Sequence, residues 1–217
     1  MNSWIVPGWP APKFVRAVST TRAGGFSSAP YESLNLGDHV GDEPARVHRN
    51  RAYLSQRLGL VREPLWLQQV HGCEVVMCGQ TGQAPRADAV TATAPGEICA
   101  VLTADCLPVL LCDRSGKQVA AVHAGWRGLL AGVIESAVAS FGDSPDRILA
   151  WLGPAIGPEA FEVGSEVRES FLQSHPGDEQ AIVPGRHSRW MADIYQLAAN
   201  RLAECGVPFV GGGEYCT

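Results

Sequence analysis

The most regular hydrophobic pattern lies in the centre of the chain, where three apolar runs follow one another. They are ICAVLTADC, LPVLLCDRSGK and QVAAVHAGW (98–126), with a turn at 113–116 between the second and the third. Because their apolar positions are nearly continuous, they predict strands that are buried on both faces. Further strands are predicted at FVRAVSTTR (14–22), at LWLQQVHGCEVVMCG (65–79, two short strands broken at His71-Gly72), and at ADAVTA (87–92), RILAWLGPAIG (147–157) and VPFVGGGEYCT (207–217).

Helical periodicity separates these runs. EPARVHRNRAYLSQRLGL (43–60) predicts a helix with Pro44 in its first turn and Gly59 near its end. Further helices are predicted over 128–141 with Gly142 as the stop, over 162–175, and over 188–206, where the apolar positions are Met191, Ile194, Leu197, Ala198 and Leu202. Because hairpins and strand–helix–strand units are mixed, we expect an α/β fold: a single compact domain over 1–217, with a mixed sheet core flanked by helices.

Composition narrows the class of protein. Apolar residues make up 46% of the 217 residues and charged residues 18%, which predicts an ordered chain with a large core. The net charge is −5 and there is no run of lysines or arginines, so neither a nucleic-acid nor a membrane partner is expected. The N-terminus does not resemble a secretory signal, and the seven cysteines form no regular framework, so a cytoplasmic protein with reduced thiols is expected.

Three coordinating side chains stand where strands are predicted to end: His71, Cys106 and His123. Two imidazoles and a thiolate suit zinc, and three protein ligands leave a fourth position for water. Their separations match no short ligand motif, so a buried cysteine and hydrogen-bonded histidines remain the alternative. Nearby glycines that permit a close backbone approach favour the metal site; they are Gly72, Gly125 and Gly128.

Four charged residues accompany this set. Arg127 precedes the predicted helix and could hold a phosphate there, or could be a surface arginine. Arg22, which opens a Gly-Gly loop, has the same two interpretations. Asp88 and Asp105 are candidate proton carriers, or else turn residues or partners that orient a histidine ligand, and for Asp88 the orienting role is favoured.

Several segments together resemble the YfiH family, also called the peptidoglycan editing factor or multicopper polyphenol oxidase (laccase-type) family. These are STTRAGGFSSAPYESLNLGDHVGD, QQVHG, ADAV, TADCLPVLL and AAVHAGWRG, in family order from about Val15 to Thr217. The resemblance implies one α/β domain whose core is similar to that of certain bacterial toxins with a Cys/His hydrolase site. It also implies that His71, Cys106 and His123 bind a metal.

The resemblance further implies an enzyme. Members are described as zinc-dependent enzymes that phosphorolyse adenosine, inosine and methylthioadenosine to base and ribose 1-phosphate, and that deaminate adenosine. The implied small-molecule partners are a purine nucleoside and phosphate, and the chain is expected to be a monomer or a homodimer. The predicted catalytic set is His71, Cys106, His123, Asp88 and Asp105, and the predicted substrate-binding residues are Arg22 and Arg127.

Other functions remain open at this point. Cys106 could be a nucleophile with His123 as its base, in a hydrolase or editing factor that acts on peptidoglycan precursors. A binding factor without turnover is another possibility. Copper-dependent phenol oxidation is reported for some members but is disfavoured here, because six histidines cannot supply both a blue-copper site and a copper cluster.

Two further features bear on these activities. The zinc-deaminase signature H-x-E followed by P-C-x-x-C is absent, so deamination would use a different scaffold. Family members usually continue beyond the position of Thr217 into a segment resembling FFSYRRDGxTGR. If that segment supplies anion-binding arginines or an edge strand, turnover depends on it as well as on the metal site.

Overall fold

A six-stranded mixed sheet forms the centre of the computed structural model, which describes residues 4–80 and 84–217. The strands of the chain are β1 Val75–Met77, β2 Ala89–Ala92, β3 Leu107–Asp113, β4 Val119–Ala124, β5 Ile148–Leu152, β6 Glu162–Val163, β7 Ile182–Pro184, β8 Trp190–Ala192 and β9 Phe209–Gly212. The large sheet has the order β1-β2-β4-β3-β5-β9, with β1/β2 and β5/β9 parallel and the other pairs antiparallel. β6, β8 and β7 form a small antiparallel sheet.

The two central strands are buried on both faces, as their continuous apolar sequences predict. β3 and β4 pair antiparallel, with Leu107 opposite Ala124 and Pro108 opposite His123. The helices are α1 Pro44–Leu58, α2 Trp126–Leu130, α3 Val133–Ala139, α4 Ser165–Ser174 and α5 Ile194–Glu204. The larger core cluster joins α2, α3, α4 and α5 to the sheet, and a smaller cluster around Leu67 and Val90 covers other positions of β2 and β4. The predicted α/β fold with a mixed sheet and flanking helices is confirmed.

Two predicted helices have different boundaries. The helix predicted over 128–141 is two helices, α2 and α3, because Gly132 adopts a left-handed conformation (φ 88°) between them. The first of them begins at Trp126, so Arg127 lies inside a helix and not before one. The helix predicted over 188–206 begins only at Ile194, because Asp193 caps it by accepting hydrogen bonds from the N–H groups of Tyr195 and Gln196. Residues 190–192, including Met191, form β8 instead.

One further helix and two strands were predicted to be longer than the structure shows. The helix predicted over 162–175 contains β6 before α4 begins at Ser165. The strand predicted at 14–22 is only a bridge between Ser19 and Ile5, because the facing segment contains Pro7, Pro10 and Pro12, which have no N–H to donate to a ladder. The first strand predicted within 65–79 is likewise reduced to isolated bridges at Leu65 and Gln68.

The strand predicted over 98–106 is irregular after a bridge at Cys99, since no neighbouring strand pairs with it in the described chain. The loop predicted between β1 and β2 includes residues 81–83, which lie outside the described residues, as do residues 1–3 of the N-terminal segment. Among the described residues, no helix combines the length and apolarity needed to cross a membrane. The domain limits 1–217 stay a prediction.

Candidate metal centre

The structure brings His71, Cys106 and His123 together. Each offers one ligand atom, and these atoms lie within 4.8 Å of one another. The two imidazole rings meet edge to face, with their centroids 4.8 Å apart. His123 is buried, Cys106 is half-buried and His71 is exposed, so the group is closed on one side and open to solvent on the other.

Three separate segments of the chain deliver the three side chains. His123 lies near the end of β4, and Cys106 comes directly before β3. Because Pro108 pairs with His123 across the β3–β4 ladder, Cys106 is carried to the same end of the sheet. His71 lies in the loop that precedes β1 and has a left-handed backbone (φ 58°), an uncommon conformation for a residue other than glycine.

The buried carboxylate of Asp88 holds this arrangement in place. It accepts hydrogen bonds from the backbone N–H groups of three consecutive residues, at 3.1 Å from Val70, 2.9 Å from His71 and 2.7 Å from Gly72. These bonds stabilise the left-handed turn at His71. Asp88 Oδ1 also lies 2.8 Å from His123 Nδ1, which leaves the Nε2 atom of His123 for a metal ion. This contact is the one that the orienting role favoured for Asp88 requires, and the role itself stays a prediction.

The protonation states of these groups follow from their surroundings. Burial alone would raise the pKa of Asp88, but the hydrogen bonds from His123 and the three backbone N–H groups outweigh it and lower that pKa. Burial lowers the pKa of His123, with Asp88 opposing and His71 adding to the shift. Burial, followed by the charges of Asp105 and Asp88, raises the pKa of the Cys106 thiol. The His123 imidazole is therefore neutral at pH 7, as a metal ligand must be, and the Cys106 thiol needs a nearby cation to ionise at that pH.

Gly125 provides the space for an ion. A Cβ atom at this position would lie 2.9 Å from Cys106 Sγ and 2.9 Å from His71 Nδ1. A side chain there would occupy the volume between the candidate ligands. Two imidazoles, one thiol and an open side fit a tetrahedral ion with three protein ligands and one exchangeable position.

The candidate ligands lie in a long surface cleft that Arg22 and Asp105 also line. Arg22 is exposed; its Nε donates to the carbonyl oxygen of Glu32 at 2.8 Å, and its guanidinium lies 3.8 Å from the Glu32 carboxylate. Asp105 is exposed beside Cys106, and its Oδ1 accepts a hydrogen bond from Thr217 Oγ1 at 3.0 Å.

Arg127 has a different environment. It is exposed on α2, stacks on the Trp126 ring at 4.2 Å, and is not among the described residues that line the cleft. α2 has five residues, and its N-cap Gly125 lies beside Cys106 and His71. Arg22 and Asp105 share the cleft with the candidate ligands, whereas Arg127 does not line it.

Gln69 is a residue of this region that the sequence did not single out. Its side-chain amide exchanges two hydrogen bonds with the backbone of Leu102, each 2.7 Å long. The sequence offered one signal: Gln69 lies two positions before His71 in the QQVHG motif, and no role was assigned to the other residues of that motif.

Comparison with known families identifies the chain. The sequence model of a family described as multi-copper polyphenol oxidoreductase laccase matches residues 16–217. A Shigella flexneri protein named purine nucleoside phosphorylase YfiH is 54% identical over 218 residues, covering 100% of this chain and 89% of the relative. The chain belongs to the YfiH family.

Other YfiH relatives agree in sequence and in fold. A Pseudomonas aeruginosa protein, also named a purine nucleoside phosphorylase, is 55% identical over the same share of both chains. The crystal structure of a Neisseria meningitidis protein superposes with a TM-score of 0.95 at 44% identity, covering 100% of this chain and 88% of that one. The structure of YlmD from Geobacillus stearothermophilus gives a TM-score of 0.88 at 28% identity, over 96% and 86% of the two chains. These matches confirm the family that the sequence motifs indicated.

Proposed function

We propose that this YfiH-family chain is a zinc-dependent purine nucleoside phosphorylase whose centre is formed by His71, Cys106 and His123. The observation that carries the proposal is the convergence of these three ligand atoms within 4.8 Å, in an open cleft, with Asp88 behind His123. The names of relatives more than 50% identical supply the reaction class. Zinc is the metal that we propose, because mixed nitrogen and sulfur ligands with one open position suit it; copper at the same site is the alternative.

In the proposed phosphorolysis, different groups of the cleft have different chemical roles. The bond between the ribose C1′ and the purine nitrogen breaks, phosphate oxygen bonds to C1′, and a proton reaches the leaving base. A bound zinc ion would supply a Lewis acid and lower the pKa of its water towards about 7. Asp105 is the aspartate proposed to carry the proton, because it is exposed in the cleft whereas Asp88 is committed to four hydrogen bonds.

Phosphate is proposed to bind at Arg22. This residue lines the same cleft as the candidate ligands, and its guanidinium reaches the Glu32 carboxylate only at 3.8 Å, so it retains donors for an anion. We do not assign phosphate to Arg127, the other predicted phosphate ligand, because it stacks on Trp126 and is not among the described residues that line the cleft.

Release of hypoxanthine from inosine, measured with and without phosphate, tests the reaction class. We expect release to require phosphate and Cys106→Ser to lower kcat/KM at least about 100-fold through loss of a metal ligand. Cys205→Ser is the matched control, a half-buried thiol at the end of α5 that should leave kcat/KM unchanged. Release that is independent of phosphate would contradict the phosphorylase proposal.

Metal content measured on the same preparations separates ligation from nucleophilic attack. Zinc that disappears with the Cys106 thiol supports ligation, whereas a metal-free enzyme that is active and loses activity in Cys106→Ser supports the hydrolase alternative on peptidoglycan precursors. Ammonia release from adenosine in the absence of phosphate tests the proposed deaminase activity at the same centre.

Multicopper chemistry has no second site in the described chain. His71, Cys106 and His123 are the one group found there that could hold a metal, and His39, His48, His175 and His187 lie outside it. The oligomeric state, monomer or homodimer, and the cytoplasmic location stay predictions.

A further inference from the structure

The irregular segment 100–106 delivers Cys106 to the candidate metal centre with little support from secondary structure. After the bridge at Cys99, hydrogen bonds tie the backbone of this segment to other parts of the described chain at two residues. One is Asp105, whose carbonyl oxygen accepts from the N–H of Ile156 at 2.9 Å. The other is Leu102, whose N–H and carbonyl oxygen both pair with the side chain of Gln69. A side chain thus takes the place of the missing strand partner.

The geometry of this contact is that of a ladder pair. Gln69 Nε2 donates to the Leu102 carbonyl oxygen at 2.7 Å, and the Leu102 N–H donates to Gln69 Oε1 at 2.7 Å. A carboxamide presents a donor and an acceptor side by side, so it can reproduce the two hydrogen bonds that opposed residues exchange in an antiparallel sheet. Both residues are half-buried, which limits competition from water.

With the contact between Gln69 and Leu102, each pair of candidate ligands is connected through hydrogen bonds or strand pairing. Asp88 joins the His71 turn to His123. The pairing of Pro108 with His123 joins the Cys106 end of β3 to β4. Gln69 lies two residues before His71 and Leu102 four residues before Cys106, so their contact joins the remaining two ligands.

We propose that Gln69 is a positioning residue that holds His71 and Cys106 at the separation required by the metal ion. The inference rests on the proposed zinc centre. The hydrogen bonds of the Gln69 side chain go to backbone atoms of Leu102 and not to a ligand atom, so its effect is on the geometry of the ligand set and not on the number of ligands.

Zinc affinity and cobalt spectra of a matched pair of variants test the proposal. Gln69→Leu removes both hydrogen bonds at nearly constant volume. Gln68→Leu is the control, because the Gln68 side chain is exposed and makes no hydrogen bond to any described residue. Competition with a chromophoric chelator is expected to show about tenfold weaker zinc binding for Gln69→Leu, as for other changes just outside a ligand set. The absorption bands of its Co²⁺ form should shift, while Gln68→Leu matches the unchanged protein in both measurements.

Thermal unfolding of the metal-free proteins distinguishes positioning from general stability. If Gln69→Leu lowers the Tm but keeps the zinc affinity and the cobalt spectrum of Gln68→Leu, the proposal is overturned. Should Gln69→Leu fail to fold, Gln69→Glu retains the acceptor for the Leu102 N–H and loses the donor. For Gln69→Glu, a loss of zinc affinity smaller than the tenfold loss expected for Gln69→Leu supports the proposal. A zinc affinity equal to that of the unchanged protein overturns it. If the unchanged protein binds zinc and the variants bind it equally well, only the role proposed for Gln69 is rejected. If the unchanged protein binds no zinc, the proposed zinc centre is rejected as well.

Discussion

At Gly125 the backbone passes closer to two candidate ligands than any other residue type would allow. The position itself accepts a side chain conformationally, since its φ of −70° and ψ of 162° lie in the ordinary extended region. The requirement for glycine therefore comes from the space beside Cys106 Sγ and His71 Nδ1, each 2.9 Å from a Cβ at this site. The residue is absent from the predicted catalytic set because it contributes only space.

We expect Gly125→Ala to fold and to lose metal affinity by at least about tenfold, since its methyl group would displace one ligand from the set. Zinc content after dialysis and inosine phosphorolysis measure the loss. Gly142→Ala is the control, because a Cβ at Gly142 meets no atom within 4 Å. Equal zinc content in the two variants would contradict this account of Gly125.

At the scale of elements, the β3–β4 hairpin is held by a buried carboxylate in its turn. Asp113 accepts hydrogen bonds from the N–H groups of Ser115, Lys117 and Gln118 and from the Ser115 hydroxyl. Burial alone would raise the pKa of Asp113, but these bonds outweigh it and lower the pKa below its ordinary value. The ionised form is therefore bound more tightly in the folded chain than in the unfolded one.

This shift predicts how stability depends on pH. Because the folded pKa of Asp113 is the lower one, its contribution to the free energy of unfolding is present above the unfolded pKa and is lost as the pH falls through the folded pKa. Asp113→Asn should lower the free energy of unfolding by about 2 kcal/mol at pH 7 and by less at pH 3. Urea unfolding at both pH values measures the difference. Asp146→Asn, at an exposed position, should have little effect at either pH; an equal loss at pH 7 and pH 3 for Asp113→Asn would refute the assignment.

The sequence predicted those helices and strands whose capping residues and hydrophobic pattern are consistent with their packing in the fold. α1 has proline in its first turn and a left-handed Gly59 after its last residue, and both signals were correct. The continuous apolar runs of β3 and β4 likewise predicted their burial. The run over 98–106 is also apolar, but within the described part of the chain it has only an isolated bridge at Cys99, and hydrophobic pattern carries no information about a partner.

The candidate site was predictable only in part for a related reason. Family motifs indicated His71, Cys106 and His123, whereas their spacing indicated nothing, because sheet pairing and not sequence proximity brings them together. The position of Arg127 was missed because the start of α2 was misplaced by two residues. The role of Gln69 requires knowing that Leu102 faces it, which is a tertiary fact.

On the scale of the whole molecule, a metal ion would connect three separate parts of the chain. An ion that binds the folded state and not the unfolded one raises stability in proportion to the logarithm of its free concentration. We expect added zinc at about 100 times its Kd to stabilise the metal-free protein by about 2.7 kcal/mol, seen as a higher Tm. Cys205→Ser should show the same increase and Cys106→Ser none; an equal increase in all three proteins would place the binding elsewhere.

The distribution of the candidate ligands along the chain also determines when a complete metal-binding site could exist during biosynthesis. The first candidate ligand is His71 and the last is His123 in β4, a strand that pairs with both β2 and β3 in the folded sheet. A growing polypeptide therefore has no complete cation-binding site until β4 has been synthesised and docked. At the proposed centre, an ion would therefore bind to a chain whose sheet is already assembled.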